Sequence, residues 1–244
     1  MTPPPSGREP AQGLLLVHKP TGLTSHDVVE VVRRKLTLRR VGHTGTLDPM
    51  AEGLLILLVG AATRHQHEFR GYQKVYARVP RLGAQTDSAD AAGRTIATAP
   101  VPVLDDARVA QVLASFEGEC LQTPPAYSAV KVKGRPAYWW ARRQQPVSLA
   151  PRPVKLSEVA FLGRDGDAIH FRVRCSAGTY VRTLAESVAE RLGTVGHLGA
   201  LIRLRIGAWD VTQAKSLPWI REAEPEALRR ALLPVRSAPG GSGR

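Results

Sequence analysis

Residues 42 to 55 read GHTGTLDPMAEGLL, and this stretch places one aspartate, Asp48, among three glycines and one histidine between two apolar segments. Asp48 precedes Pro49, and a residue before proline is pushed out of the helical region into an extended conformation. The glycines indicate tight turns or close approach of a bulky ligand to the backbone. We therefore expect the Asp48 carboxylate to lie on stiff, non-helical backbone.

Apolar runs and alternating segments on both sides of this stretch predict strands. They are LLLV at 14–17, LLILLV at 54–59, KVYARV at 74–79, IHFRVRC at 169–175 and LIRLRIG at 201–207. In KVYARV the alternation puts Lys74, Tyr76 and Arg78 on one face and the apolar residues on the other. The pattern therefore predicts that Tyr76 faces away from the core.

Amphipathic stretches with capping residues predict the helices. One follows Thr24 or Ser25, one runs from Asp105 or Asp106 to about Phe116, one lies in TYVRTLAESVAERLG and is closed by Gly193, and a last one lies at about 223–233. Hairpin signals such as RDGD before the strand at 169 indicate that the sheet is mixed rather than purely parallel. We expect an α/β (α+β) fold with a mixed, mostly antiparallel central sheet flanked by helices.

The length and the net charge of the chain limit the classes of function that are possible. The 244 residues are 43% hydrophobic, which is enough for a real core. Lys and Arg number 34 against 21 Asp and Glu, so the formal net charge is +13. This is the electrostatic footprint of a nucleic-acid binder, with a membrane surface as the competing reading. No apolar run approaches the roughly 20 residues of a spanning helix, and no signal peptide is present, so we expect a cytoplasmic protein.

Several familiar sites are excluded. Cys120 and Cys175 lie far apart with no C-x-x-C, which indicates small core residues rather than a disulfide framework or a zinc site. His65 and His67 have no accompanying carboxylate cluster. No phosphate-binding glycine loop and no G-x-S-x-G nucleophile motif occur. We therefore expect no metal and no organic cofactor.

Composition divides the chain into two tails and a central domain that contains a basic segment. Residues 1–12 and 237–244 are rich in Pro, Gly and Ser and predict disordered tails, which leaves 13–236 as one folded domain. Within it, residues 124–153 contain six prolines, six Lys or Arg, two Tyr and a Trp pair, and no acidic residue. We expect this segment to be a projecting basic arm.

Taken singly, the residues that could carry chemistry have ordinary explanations. Asp48 could be a plain Asp-Pro turn, and Tyr76 could pack on a sheet edge. Arg182, which opens a predicted helix, could pair with Glu186 by its spacing of four residues. His43 could be a hydrogen-bonded loop residue. Only in combination do these residues indicate a function.

In combination, RVGHTGTLDPMAEGLLILLVG at 40–60 closely resembles the signature of the bacterial tRNA pseudouridine-55 synthases, the TruB family. Other segments resemble that family's remaining motifs in the same order: HKPTGLTSHDVV at 18–29, KVYARVPRLGAQTDSADAAG at 74–93, PPAYSAVKVKGRPAY at 124–138 and CSAGTYVRTLAESVAERLG at 175–193. The resemblance covers residues 14 to about 210. It implies a pseudouridine-synthase fold with an RNA-binding arm, and isomerisation of uridine 55 in the T loop of tRNA without a cofactor.

The resemblance also implies roles for the central residues. Asp48 matches the catalytic aspartate, and a carboxylate can act as nucleophile or base when the C1′–N1 bond breaks. Which of the two it does is not readable from the sequence. Arg182 matches the arginine that pairs with this aspartate and would keep it ionised. Tyr76 matches the residue that stacks on the target base and assists proton removal from C5.

Further matches concern substrate binding. His43 matches the residue that moves into the space left when the base flips out, and Tyr180 matches a pocket-lining tyrosine. Lys19, in the first motif, is expected to bind substrate. Arg64 stands where the family usually has a lysine, and Ala177 replaces another usual lysine, which puts one RNA contact in doubt but not the chemistry.

The expected partner is the T arm of tRNA, bound by a monomer with no obligate protein partner and no membrane. Many relatives continue into a C-terminal PUA domain, and we expect this chain to lack one. Two alternatives stay open. One is a non-catalytic tRNA-binding or tRNA-folding protein on the same scaffold, and the other is a guide-RNA-dependent pseudouridine synthase.

Overall fold

The computed structural model describes residues 11–145 and 147–235. Most of the two predicted tails, and Pro146 of the predicted arm, therefore lie outside the described residues. Positions 11 and 12 are described although they belong to the predicted N-terminal tail, and Ala11 is buried. The chain divides into two units. The first comprises the described residues up to Tyr72 and from Ala208 onwards, and the second comprises Gln73–Gly207.

The described residues form strands and helices with the following bounds. The strands are β1 (Gly13–Lys19), β2 (Val41–His43), β3 (Glu52–Val59), β4 (Lys74–Leu82), β5 (Ala84–Thr86), β6 (Thr95–Thr98), β7 (Gly118–Gln122), β8 (Lys131–Val132), β9 (Arg135–Pro136), β10 (Arg152–Asp165), β11 (Ala168–Cys175), β12 (Gly196–Ile206), β13 (Trp209–Asp210) and β14 (Lys215–Ser216). The helices are α1 (Ser25–Leu36), α2 (Gln66–Arg70), α3 (Asp106–Ala114), α4 (Ala137–Ala141), α5 (Val181–Arg191), α6 (Leu217–Glu222) and α7 (Pro225–Arg230).

The first unit is built on β1 and β3, which pair antiparallel along their whole length. Their central residues, 14–17 and 54–59, are almost completely shielded from solvent, which explains why both segments read as continuous apolar runs. β14 pairs parallel with β1, and β2 pairs antiparallel with β3. Both predicted strands are confirmed.

Helix α1 supplies the apolar cover of the first unit through Val28, Val29 and Val32, which are buried on one face. It begins after Thr24, whose side chain accepts a hydrogen bond from the Asp27 backbone N–H, while the Asp27 carboxylate accepts one from the Thr24 backbone N–H. This reciprocal capping satisfies two backbone donors that the helix itself leaves unpaired. The predicted helix start is confirmed.

The second unit contains a sheet with the strand order β12, β4, β11, β10, β7, in which neighbours are antiparallel. The predicted strand at 169–175 is confirmed, and the one predicted at 201–207 begins earlier, at Gly196. Helix α3 follows the capping residue Asp105, and α5 follows Tyr180. The predicted fold class, a mixed and mostly antiparallel sheet flanked by helices, is confirmed.

The helix predicted at about 223–233 is confirmed as α7, which is shorter than predicted and begins at Pro225. A separate short helix, α6, ends before it at Glu222, and Glu224, the residue that caps α7, is extended. Glu224 precedes Pro225, and proline disfavours a helical conformation in the residue before it while suiting the first position of a new helix. Within the described ranges, no helix is both long and apolar enough to cross a membrane.

Candidate active site

The Asp48 loop, residues 44–51, connects β2 to β3 and is fixed on the side of Leu47 by a buried serine. The Ser25 hydroxyl accepts a hydrogen bond from the Leu47 backbone N–H at 2.9 Å and donates to the Leu47 carbonyl at 3.1 Å. Ser25 lies in the first turn of α1, so the helix cap places it. The residue before Asp48 is therefore held by both of its backbone polar groups.

The residue after Asp48 is held by a buried lysine. Lys19 has no solvent exposure, and its Nζ donates to the carbonyls of Leu23 at 2.7 Å, Pro20 at 2.8 Å and Pro49 at 3.4 Å. The Gly22 backbone N–H also donates to the Pro49 carbonyl, at 2.8 Å. Lys19 is thus placed to hold the Asp48 loop, while its predicted binding of substrate stays a prediction.

The other predicted residues of the first unit lie near this loop in sequence. His43 ends β2 and is half-buried, and its carbonyl accepts a hydrogen bond from the Gln66 amide at 2.8 Å. Arg64 is exposed, and its Nε donates to the Ala61 carbonyl at 3.0 Å. An exposed guanidinium with further donors is suited to a phosphate. The roles predicted for both residues stay predictions.

In the second unit, Arg182 is buried in the first turn of α5 and its guanidinium is fixed by two carbonyls. Nη1 donates to Ser88 at 3.0 Å and Nη2 to Tyr127 at 2.9 Å. A cation in the first turn of a helix opposes the helix dipole, because the positive end of the dipole lies there. Its position is therefore unfavourable for the helix alone, as expected for a residue with a function.

Asp90 is a buried acid beside Arg182 that the sequence reasoning missed. Its Oδ2 lies 3.9 Å from Arg182 Nη1, and its Oδ1 accepts hydrogen bonds from the Ser88 hydroxyl at 2.7 Å and the Ala92 backbone N–H at 3.0 Å. The available signal was an aspartate in the turn-rich segment TDSADAAG. Asp90 neutralises part of the buried positive charge of Arg182 and fixes the turn that supplies the Ser88 carbonyl.

Glu186, the ordinary partner considered for Arg182, has a different contact. Its carboxyl accepts a hydrogen bond from the Gln85 amide at 3.1 Å. Burial raises the pKa of Glu186, and the Gln85 hydrogen bond and the charge of Arg182 act in the opposite direction. The raised pKa shows that desolvation outweighs the stabilisation that Arg182 gives to the carboxylate.

Tyr180 is positioned by the backbone rather than by its ring. It caps α5, and its N–H donates to the Gln122 side-chain oxygen at 2.6 Å while its carbonyl accepts from the Gln122 amide at 2.9 Å. This reciprocal pair links α5 to the last residue of β7. Tyr180 is half-buried, and its predicted role as a pocket-lining residue stays a prediction.

The prediction that Tyr76 faces away from the core is wrong, because the face of β4 that carries Tyr76 is buried. Tyr76 is 9% exposed and Arg78, on the same face, is 2% exposed. β4 lies between β11 and β12, and its other face is less covered, since Ala77 and Val79 are half-buried and Arg81 is exposed. Arg203, also buried, lies opposite Tyr76 on β12.

The Tyr76 face carries several cations. Burial, and second the charge of Arg203, lower the pKa of Lys74 to about 8 from its ordinary value of 10.5. Lys74 precedes Tyr76 by two residues on β4 and so shares its face. Alternation in the sequence indicated that these side chains lie together, but not that they are buried.

The predicted arm, residues 124–153, contains little regular structure beyond the hairpin of β8 and β9 and helix α4. Two of its aromatic residues, Tyr138 and Trp139, contact cations of the arm, and the Arg143 guanidinium lies 3.7 Å from the centre of the Trp139 ring. The Trp140 indole N–H donates to the Val132 carbonyl at 3.1 Å, which fixes α4 on the hairpin. Lys131 and Lys133 are exposed.

The family of the chain follows from comparison with known proteins. Residues 33–181 match the model of the TruB family pseudouridylate synthase, N-terminal domain. The chain belongs to the TruB family. Among the described residues, no group of three or more His, Cys, Asp or Glu is arranged to hold a metal ion.

Relatives of this TruB chain are similar over most of its length. The tRNA pseudouridine synthase B of Aromatoleum aromaticum is 45% identical over 233 residues, which are 96% of this chain and 75% of the relative. The protein of the same name from Opitutus terrae is 42% identical over 231 residues, which are 95% of this chain and 96% of the relative.

Solved structures support the pseudouridine-synthase fold of this TruB chain. The crystal structure of a Cbf5-Nop10-Gar1 complex contains a chain with 28% identity and a TM-score of 0.69, matched over 91% of this chain and 60% of that one. A chain in the archaeal box H/ACA sRNP Nop10-Cbf5 complex gives 26% identity and a TM-score of 0.67, over 92% and 60%. This chain therefore spans about 60% of the length of these structural neighbours.

Proposed function

We propose that this protein is a tRNA pseudouridine synthase that isomerises uridine 55 in the T loop of tRNA. The names of its relatives support tRNA as the substrate and pseudouridine as the product. The observation that carries the proposal is the anchoring of Asp48. Ser25 fixes Leu47 before it, and Lys19 and Gly22 fix Pro49 after it. Such fixing is what a reacting carboxylate needs in order to meet the sugar in one geometry.

The chemistry requires one carboxylate and no change of oxidation state. The C1′–N1 bond of uridine breaks, the uracil turns, C5 bonds to C1′, and the C5 proton leaves while N1 gains one. Asp48 assists as nucleophile on the sugar or as base. Arg182, fixed by the Ser88 and Tyr127 carbonyls, supplies the positive charge that keeps Asp48 ionised when water is excluded.

Other residues bind the flipped nucleotide. Tyr76 stacks on the uracil, and Tyr180 lines the pocket. His43 takes the place of the base in the loop, and its stacking offsets part of the few kcal/mol that flipping costs. Arg64 contacts the RNA backbone. Lys19 acts on substrate through the loop that it holds, with direct contact as a further prediction.

Binding of the T arm is assigned to the basic surface. The formal charge of +13 and the acid-free arm, residues 124–153, favour RNA phosphates. We assign residues 13–236 to one catalytic domain that acts as a monomer in the cytoplasm. If the arm and the motif cations neutralise about five to eight phosphates, log affinity falls with log salt at a slope of about −4 to −6. A nearly flat response would contradict this assignment.

The test is tritium release from tRNA transcripts labelled at uracil C5, with purified protein and no other RNA or protein. Release with pseudouridine at position 55 is expected. The structural neighbours occur in complexes named for Nop10 and Gar1, which makes guide dependence the second candidate. Turnover that requires an added guide RNA would favour it. Turnover should also survive EDTA, and loss that zinc restores would contradict the absence of a metal requirement.

A further inference from the structure

Arg78 is a buried cation with few polar contacts. Arg78 and Arg203 are the largest fully buried side chains among the described residues. Its Nη2 lies 3.6 Å from Cys175 Sγ, and no acceptor within the described ranges binds its Nε or Nη1. Buried donors without acceptors, and a buried charge without a carboxylate, destabilise the folded state. Stability alone therefore does not account for an arginine here.

The cation lies against aromatic rings instead. Arg78 Cζ is 5.0 Å from the centre of the Phe171 ring and 5.7 Å from that of Tyr76. Both distances are within the roughly 6 Å over which a guanidinium is attracted by a ring. Cys175 pairs with Lys74, four residues before Arg78 on β4. The Arg78 side chain must therefore run along the sheet face past Tyr76 to reach Cys175.

The surroundings add to the unfavourable energy of this charge. Lys74 shares the face, and Arg203 lies opposite Tyr76. Burial lowers the pKa of Arg78, while burial raises the pKa of the Cys175 thiol next to it. A protonated thiol is a weak acceptor, so Cys175 does not replace a carboxylate.

We propose that Arg78 is a positioning residue that holds the Tyr76 ring in the orientation in which it stacks on the target uracil. This inference rests on the role proposed for Tyr76. A tyrosine ring turns about two side-chain bonds, and a planar cation against it restricts both. An ion pair between the Arg78 guanidinium and a carboxylate would not orient the Tyr76 ring in this way. The pocket thus offers an ordered ring before the flipped base stacks, which lowers the entropic loss of a step that follows T-arm binding.

The test compares Arg78→Met and Arg78→Lys with Arg81→Met, which removes an exposed arginine from the same strand. Methionine fills similar volume without charge, so Arg78→Met should unfold at the same temperature as the parent or higher. The single-turnover rate at saturating protein should fall roughly three- to thirtyfold, the range of a cation–π contact. Affinity for the T arm should stay within about twofold. Arg78→Lys should recover part of the rate, and Arg81→Met should match the parent.

A second readout reports on the ring and not on turnover. A T-arm RNA with a fluorescent uridine analogue at the target position is quenched when the base stacks. Quenching should weaken in Arg78→Met, and in a Tyr76→Leu background Arg78→Met should cause no further change. A parent-like rate and quenching in Arg78→Met would overturn the proposal, and so would an equal effect of Arg78→Met in the Tyr76→Leu background.

The proposed function and the positioning role of Arg78 can be contradicted independently of each other. A parent protein that binds the T arm but makes no pseudouridine contradicts the proposed function, while the quenching comparison still decides whether Arg78 orders Tyr76. If Arg78→Met does not fold, Arg78→Lys carries the test. In the otherwise unchanged protein, Arg78→Lys should lower the single-turnover rate and the quenching by about threefold. In the Tyr76→Leu background it should leave the quenching unchanged.

Discussion

The Asp48 loop and the basic arm both lack regular secondary structure over most of their length, yet they are held in opposite ways. The loop is fixed by buried groups, the Lys19 ammonium and the Ser25 hydroxyl, that bind its backbone. The buried Arg182 binds the arm only at the Tyr127 carbonyl, near its start. From β8 onwards the arm is ordered by contacts among its own residues, such as Arg143 on Trp139, and its lysines stay in solvent.

The difference follows from what each region does. A reacting group must be held to within a fraction of an ångström, and only buried, well-oriented contacts do this. Attraction of phosphates acts over about 8–10 Å at physiological salt and tolerates movement of the cations. Substitutions in the loop should therefore change the rate, and substitutions in the arm should change the affinity and its salt dependence.

The largest expected effect is that of Asp48→Asn. The amide keeps the shape of the carboxylate but can neither attack the sugar nor accept a proton, so tritium release should fall by at least about 10⁴-fold. Filter binding of tRNA should stay within a few-fold. Release within tenfold of the parent would make Asp48 a turn residue and would leave the non-catalytic tRNA-folding alternative as the better account of this protein.

Lys19→Met tests whether anchoring of the loop matters to the chemistry. Three carbonyls lose a donor, so the free energy of unfolding in urea should fall by about 3 kcal/mol. The single-turnover rate should fall roughly 10- to 100-fold, because Asp48 loses its fixed position. Ser25→Ala is the matched smaller change, with about 1–2 kcal/mol lost. A destabilised Lys19→Met protein with the parent rate would show that the loop needs no such support.

Neutralising cations of the arm should weaken tRNA binding and leave the rate unchanged. With Lys131, Lys133 and Arg142 changed to Gln, the salt slope of tRNA binding should become less steep by about 3, and affinity should fall about tenfold or more. The rate at saturation should not change. The control exchanges Lys and Arg at the same three positions and keeps the charge. If the arm variant changes the rate at saturation and leaves the salt slope of tRNA binding unchanged, the roles assigned to the loop and the arm are contradicted.

Lys74 should give the smallest effect, visible in the pH dependence of stability. Its folded pKa of about 8 lies below the ordinary 10.5, so below pH 8 it is protonated in both states and its buried charge destabilises the fold in full. Between pH 8 and 10.5 the folded state sheds the proton first, and this penalty declines. Lys74→Met should therefore stabilise the protein at pH 7, by at most about 3 kcal/mol, and less at pH 10. Equal urea midpoint shifts at both pH values would contradict a depressed pKa.

Local patterns were sufficient for most of the secondary structure. Continuous apolar runs indicated β1 and β3, and Thr24 with Asp27 marked the start of α1. The start of the last helix at Pro225 also has a local cause, since proline favours an extended conformation at Glu224. These features depend on residues within about four positions of one another, where sequence spacing fixes geometry.

The sequence by itself determined the strands and helix starts, the charge of the chain and, through its motifs, the candidate residues Asp48, Tyr76 and Arg182. Tertiary structure alone decided which of their neighbours matter. Lys19 reaches Pro49 thirty residues away, and Arg182 reaches Ser88 ninety-four residues away. It also decided that the Tyr76 face of β4 is buried with its cations. Alternation tells which side chains share a face, but what covers that face is set by elements distant in sequence, whose packing no local pattern specifies.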